Sequence, residues 1–256
     1  MSVVPAHHHR LQSLAETGYV TLKRYAGQLD PQEWENLKYL DWKSGGDTNF
    51  AVLASAKGDD DPRGFWEHGL PDKGAVWTAN AQLAPTLVNW VTSVGANFGR
   101  VRIIKLQPSV DKGTVVERHL HQDDNNRLNP EGEGWVVRVW LNLTDDPGSY
   151  MILREHRDDP TVEHRVPLFG GAQFVVDTER LWHAAFHLGP HPRYALIASF
   201  ESGPALQAWM DEQRLPAVVR QAGPGERPVE ATDAGMVEAT DPATADATVA
   251  AVTETR

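Results

Sequence analysis

The chain has 256 residues, 24 Lys and Arg against 35 Asp and Glu for a formal net charge of −11, nine tryptophans, no cysteine and 41% hydrophobic residues. Zero cysteine excludes a disulfide scaffold, a thiolate nucleophile, a zinc–cysteine site and an iron–sulfur cluster, so histidine and carboxylate must supply any metal site. The acidic balance argues against a general grip on nucleic acid, which needs Lys and Arg clustered on one face.

The N-terminus runs from Met1-Ser2-Val3-Val4-Pro5 into His7, His8, His9 and Arg10 rather than an apolar signal core. No stretch approaches the ~20 apolar residues of a membrane span, so a soluble, cytoplasmic protein is expected, without a membrane partner. The three histidines read as an exposed, flexible segment. Asp30-Pro31 followed by Glu33, Trp34, Leu37 and Leu40 predicts a first helix from its cap, its Pro at the first helical position and its apolar stripe. Leu87, Trp90, Val91 and Val94 predict a second, from about Leu83 to Phe98. Lys43–Asp47 and Gly58–Gly64 are loops by composition.

From Arg100 the texture changes to short β-rich runs: Val101–Leu106, Thr114–His121, Trp135–Leu143, Ser149–Leu153, Val162–Leu168, Ala172–Val176, Leu181–Leu188 and Arg193–Phe200. Turn signals such as Gln107-Pro108-Ser109, Asp145-Asp146-Pro147-Gly148 and Gly189-Pro190-His191-Pro192 separate them. About eight strands at this spacing predict a mainly β fold with flanking α-helices, best fitted by a jelly roll. A last helix is expected over Pro204–Gln213. From Ala222 to Arg256 seven acids face only Arg227 and Arg256, carrying −5 of the −11, in an Ala/Thr/Pro-rich context with no aromatic residue. Such a stretch cannot bury enough apolar surface to offset its ordering entropy. The expected organisation is a single domain over 1–215 (helical N-terminal region 1–99, β core 100–203, C-terminal helix 204–215) and a disordered acidic tail over 216–256.

His119, His121, His183 and His187 fall on predicted strands. Residues two apart on a strand share a face, so His121 and Asp123 can aim at one point inside a barrel. His183 completes two imidazoles and one carboxylate, the trio that holds Fe(II) on one face and leaves three positions open. By parity His119 competes with His121, and His187 with His183. Arg193, opening the last strand, presents a fork that takes a carboxylate in bidentate fashion, so a dicarboxylate cosubstrate can chelate the metal at one end and meet Arg193 at the other. Arg138, Trp140 and Asn142 share a face of their strand; a buried Arg138 is either an ion-pair member or a carboxylate clamp. Trp140 and Trp182 read first as core, and Glu117 and Asp124 as a solvated acidic face.

Residues Arg100 to Gly203, about 100 of the 256, resemble the double-stranded β-helix (cupin-like) core of Fe(II)/2-oxoglutarate-dependent oxygenases, with His121-Gln122-Asp123, His183 and Arg193 matching the His-X-Asp…His…Arg pattern. Arg102, Lys105-Leu106-Gln107-Pro108 and Arg138-Val139-Trp140-Leu141-Asn142-Leu143 resemble the aspartyl/asparaginyl β-hydroxylase group, which includes bacterial proline hydroxylases. The resemblance implies Fe(II), 2-oxoglutarate and O2 as cofactors, His121, Asp123 and His183 as catalytic metal ligands, and Arg193, with Arg138 and Trp140, as cosubstrate contacts. Where the group shows Arg-X-His, this chain has Arg138-Val139-Trp140, and Ala195 stands where many relatives carry Ser or Thr. The implied activity is hydroxylation of an unactivated C–H of a free amino acid or amino-acid-derived small molecule. Desaturation or cyclisation by the same machinery, and a non-catalytic metal-binding cupin-like protein, are the alternatives. The sequence does not indicate an oligomeric state.

Overall fold

A computed structural model describes residues 9–41, 48–108, 119–129 and 134–215. Its strands are β1 Tyr19–Thr21, β2 Leu40–Asp41, β3 Thr48–Ser55, β4 Val76–Trp77, β5 Phe98–Leu106, β6 Val136–Asn142, β7 Tyr150–Arg154, β8 His164–Pro167, β9 Gln173–Val176, β10 Trp182–Phe186 and β11 Arg193–Glu201. The α-helices are α1 Gln32–Glu35, α2 Pro85–Ser93 and α3 Pro204–Gln213. A large antiparallel sheet runs β1-β9-β6-β11-β5-β3-β2 with β4 beside β3, and a small one runs β10-β7-β8. An isolated antiparallel bridge between His121 and His183 sets the segment after residue 118 alongside β10. From β5 onward the chain therefore alternates between sheets: β5 large, His121 small, β6 large, β7 and β8 small, β9 large, β10 small, β11 large. That alternation is a double-stranded β-helix, or jelly roll.

Both faces of the large sheet are covered, which explains the near-continuous burial of β6 and β11. On the outer face Leu196, Ala198 and Phe200 of β11 join Leu87, Trp90 and Val91 of α2 and Leu206, Trp209 and Met210 of α3 in one core. On the inner face Trp140, Phe174, Val176, Ala195 and Ile197 meet Met151, Leu153 and Val166 of the small sheet in a second. The N-terminus of α2 is satisfied from a distance: the buried Glu33 carboxylate accepts from Thr86 N and Leu87 N at 3.0 and 3.2 Å, placing a negative charge where the helix dipole favours one.

The N-terminal third departs from the helical expectation. The apolar stripe Trp34, Leu37, Leu40 is divided between the single turn of α1 and the strand β2, and the long second helix shortens to α2, because Phe98 already belongs to β5. Four strands lie in this region, and β3 extends the large sheet by pairing with β5 from Thr48 to Ala54. His9 is not an exposed segment: it is 7% exposed, its Nδ1 accepts from Leu11 N, and its Nε2 lies 3.6 Å from Asp177. His7, His8, the Lys43–Asp47 loop, most of the expected strand Thr114–His121 and the 216–256 tail lie outside the described residues. Among the described residues no helix is long and apolar enough to cross a membrane. The later strands and α3 lie within about three residues of expectation.

Candidate metal centre

The His121–His183 bridge is closed in both directions, His121 N donating to His183 O at 3.2 Å and His183 N to His121 O at 2.9 Å. Directly opposed residues share a face, and the two rings stand 4.3 Å apart between centroids. Asp123 joins them because its N–H donates to Thr178 O at 2.9 Å, pinning the chain beside the turn that precedes β10. One ligand atom from each of His121, Asp123 and His183 then lies within 4.8 Å of the others.

Each of these atoms is left free by what its other half does. His121 Nδ1 is 2.8 Å from His119 O, and His183 Nδ1 is 3.1 Å from Leu181 O. A carbonyl only accepts, so both protons sit on Nδ1 and both Nε2 atoms present lone pairs, the tautomer a metal requires. Asp123 Oδ2 accepts from Arg138 Nε at 3.2 Å and Asn125 Nδ2 at 3.0 Å, which leaves Oδ1 facing His121 Nε2 at 3.8 Å. Burial opposes the charge on Asp123, but Arg138, the two imidazoles and Arg100 together outweigh it and hold the carboxyl well below the usual carboxylate range. Burial, followed by the neighbouring His121, pushes the His183 imidazole down to about 4. A carboxylate that stays ionised beside an imidazole that stays neutral is a donor set matched to a divalent transition metal.

Behind the trio lies a polar network. Arg138, 1% exposed, donates to Asp123, to Asn125 Oδ1 at 2.5 Å and to Ser199 Oγ, while Ser199 donates to Asp72 Oδ2 at 2.7 Å. Arg100 reaches the same Asn125 Oδ1 at 3.0 Å, and its backbone N–H donates to Asp72 Oδ1 at 2.7 Å. Gly99 permits that approach, since a Cβ there would collide with Asp72 O and Oδ1. Of these residues Asn125, Ser199 and Asp72 carried no functional signal in the sequence. Asn125 shares strand parity with Asp123, which is the one hint available.

Arg193 lies on the inner face at the far end of β11. It is 1% exposed, and among the described residues its Nε and Nη2 have no hydrogen-bond partner. Burial pulls its guanidinium down to about 10, against the pull of Asp146. Four residues of strand separate it from Ile197, which pairs with Trp140, and Trp140 packs edge-on to His183 at 6.2 Å. At ~3.3 Å per residue that is roughly 13 Å, the reach of a five-carbon dicarboxylate plus an arginine side chain.

The remaining candidates separate. His119 contributes its carbonyl to His121. His187 stands away from the trio, with Nδ1 at 3.0 Å from Asp146 and 2.8 Å from Ser149 Oγ and Nε2 at 2.7 Å from His191 O. Trp140 stacks on Phe174 with centroids 5.2 Å apart. Trp182 lies under the Arg157 guanidinium, apart from the trio. Asp124 accepts from Trp66 Nε1 and pairs with Arg127, joining the Phe65–His68 turn to the segment that carries Asp123. Glu117 lies outside the described residues.

No family model and no curated protein matches the sequence. Among solved structures the chain is similar to an oxidoreductase of the 2OG-Fe(II) oxygenase family from Burkholderia pseudomallei, at 15% identity and TM-score 0.49 over 76% of this chain and 90% of that one. It is also similar to a Trichoplax adhaerens prolyl hydroxylase in complex with a hypoxia inducible factor oxygen degradation domain peptide fragment, at 12% identity and TM-score 0.43 over 77% and 89%. HygX from Streptomyces hygroscopicus, with nickel, 2-oxoglutarate and hygromycin B bound, is similar at 11% identity and TM-score 0.43 over 74% and 85%.

Proposed function

We propose that this chain is an Fe(II)- and 2-oxoglutarate-dependent dioxygenase that hydroxylates an unactivated C–H of a free amino acid or an amino-acid-derived small molecule. The observation that carries the reading is a pairing: three free ligand atoms of a two-histidine, one-carboxylate set at one end of the jelly-roll interior, and at the other a fully buried guanidinium with two N–H groups unpartnered among the described residues. A buried cation without an anion is costly, and a cosubstrate carboxylate removes that cost. His121, Asp123 and His183 would hold the iron, and Arg193 the far carboxylate of 2-oxoglutarate. Bound iron, with 2-oxoglutarate and O2, supplies the oxidising power, the cosubstrate leaving as succinate and CO2.

The chain's own residues place and protect. Arg138 and Asn125 fix the rotamer of Asp123 and keep its second oxygen occupied, so Oδ1 would be the oxygen left to hold the metal. Arg138 thus supports the ligand and is not free to clamp a carboxylate, and Trp140 and Phe174 wall the interior against water. The Gly58–Gly64 loop contributes to the rim, since Pro62 O accepts from Arg100 and Arg102 on the inner face. The test has two arms. Anaerobic addition of Fe(II) and 2-oxoglutarate is expected to give a weak visible metal-to-ligand charge-transfer band, and its absence overturns the reading in favour of a non-catalytic cupin-like protein. Succinate release over a panel of L-amino acids, read with product mass, is expected to give a product one oxygen heavier; a product two hydrogens lighter means desaturation or cyclisation instead.

A further inference from the structure

Around the proposed metal centre stand three guanidiniums, Arg100, Arg102 and Arg138, and two carboxylates, Asp72 and Asp123. Arg100 and Arg138 share Asn125 Oδ1; Arg138 lies within ion-pair distance of both acids, and Arg100 meets Asp72 through its backbone N–H. Among the described residues Arg102 has the fewest side-chain hydrogen-bond partners of the three. Its hydrogen bond is one long contact, Nη1 to Pro62 O at 3.4 Å. Among the described residues its Nε is buried without a hydrogen-bond partner and no carboxylate lies within ion-pair distance of it. Burial, followed by the like charges of Arg100 and Arg138, drives its pKa well down, and the opposing pull of Asp123 and Asp72 does not offset them.

The side chain is nonetheless held in place. Its guanidinium lies 4.2 Å from the centroid of the Phe50 ring, which fixes the plane of the fork. Through the register Arg102–Ile197–Trp140 it sits at the level of the tryptophan that touches His183, about 10 Å away across two strand spacings. Unlike Arg193, it is partly exposed and lies against Pro62 of the Gly58–Gly64 loop. A flat fork with one unmatched positive charge suits a planar monoanion better than a phosphate dianion.

The geometry points to Arg102 as the docking group for a carboxylate of the organic substrate, holding the rest of that molecule against the metal centre. The inference rests on the oxygenase reading above and deepens it: the substrate is a carboxylic acid, with its own anchor distinct from that of 2-oxoglutarate. The test uses the full chain loaded with Mn(II) and 2-oxoglutarate, titrated calorimetrically with free L-amino acids and, in parallel, with their C-terminal amides. At least one acid is expected to bind ten-fold or more tightly than its amide. Arg102→Gln should weaken that acid by ten-fold or more while leaving the Kd of 2-oxoglutarate unchanged, and Arg102→Lys should recover some of the loss.

Melting temperature separates docking from scaffolding: removing a guanidinium whose Nε is buried without a partner among the described residues should leave R102Q as stable as the wild type or more so. Acids that bind no better than amides, an R102Q variant that keeps the preference, or one that loses 2-oxoglutarate instead overturns the assignment. Failure of the oxygenase reading shows separately, as absence of 2-oxoglutarate binding to the wild type, and acid preference is read in the same titration.

Discussion

Asn125 donates to Asp123 and accepts from both Arg138 and Arg100, at 5% exposure, so one amide orders the proposed metal ligand and two buried cations. Hydrogen bonds to charged groups contribute about 1.5–3 kcal/mol each. Asn125→Ala is therefore expected to destabilise the metal-free protein by about 3 kcal/mol in urea unfolding, and to weaken metal binding by about 10–100-fold, as loss of an outer support does elsewhere. An unchanged metal affinity would remove Asn125 from the site. Asp123→Ala should abolish metal retention and succinate release together. Arg193→Ala should instead keep the metal and raise the KM for 2-oxoglutarate roughly 10–100-fold, the equivalent of one charge-assisted contact; equal KM values would show that the guanidinium serves another purpose.

At the scale of the element, the turn between β9 and β10 holds the Asp123 segment in place. Asp177 Oδ1 accepts from Glu179 N and Arg180 N, Thr178 O accepts from Asp123 N, and Glu179 Oε1 accepts from Asn126 N at 2.6 Å. Burial, with the charges of Asp177 and Asp123 added and the Asn126 contacts opposing, pushes the Glu179 carboxyl up to about 7. Because its folded pKa lies above the ordinary value of 4.5, the folded state binds the extra proton. Stability from this group is complete below about 4.5 and is lost as pH rises through about 7. Metal-free Glu179→Gln should accordingly melt higher than the wild type at pH ~8 and close to it at pH ~5. Parallel melting profiles for the two would show that another group sets the dependence.

Over the whole molecule the large sheet separates two tasks. Its outer face, under α2 and α3, carries the larger apolar core, and its inner face carries Arg138 and Arg193 and packs on the small sheet that bears His183. Leu196 is fully buried on the outer side while its neighbours Ala195 and Ile197 face inward. Leu196→Ala is expected to cost about 3 kcal/mol in denaturant unfolding, the usual range for a buried leucine. The KM for 2-oxoglutarate of the folded enzyme should stay at its wild-type value, and a marked rise would show that the two faces are coupled.

The amino-acid sequence determined the β core and pointed to the three side chains that the fold brings together as the proposed donor set. Turn residues bracket β6 to β11, and period-two parity alone put His121 with Asp123, and Arg138 with Trp140 and Asn142, on common faces. It misassigned the N-terminal third because Trp34, Leu37 and Leu40 fit a helical period, whereas Leu40 pairs with Phe50 in the sheet, and a strand partner is a long-range choice that local spacing does not encode. For the same reason parity gave Arg138 a face but no partner. Asp72 and Ser199, distant in sequence, meet Arg138 only when β11 lies between β5 and β6. Tertiary structure thus decided which cations are neutralised and which are left bare. Arg138 became a support for Asp123, Arg193 and Arg102 kept N–H groups unpartnered among the described residues, and His187, equal to His183 by parity, was drawn to Asp146. Residue type sets what each group can bind, but its charge balance depends on neighbours that only the folded chain assembles.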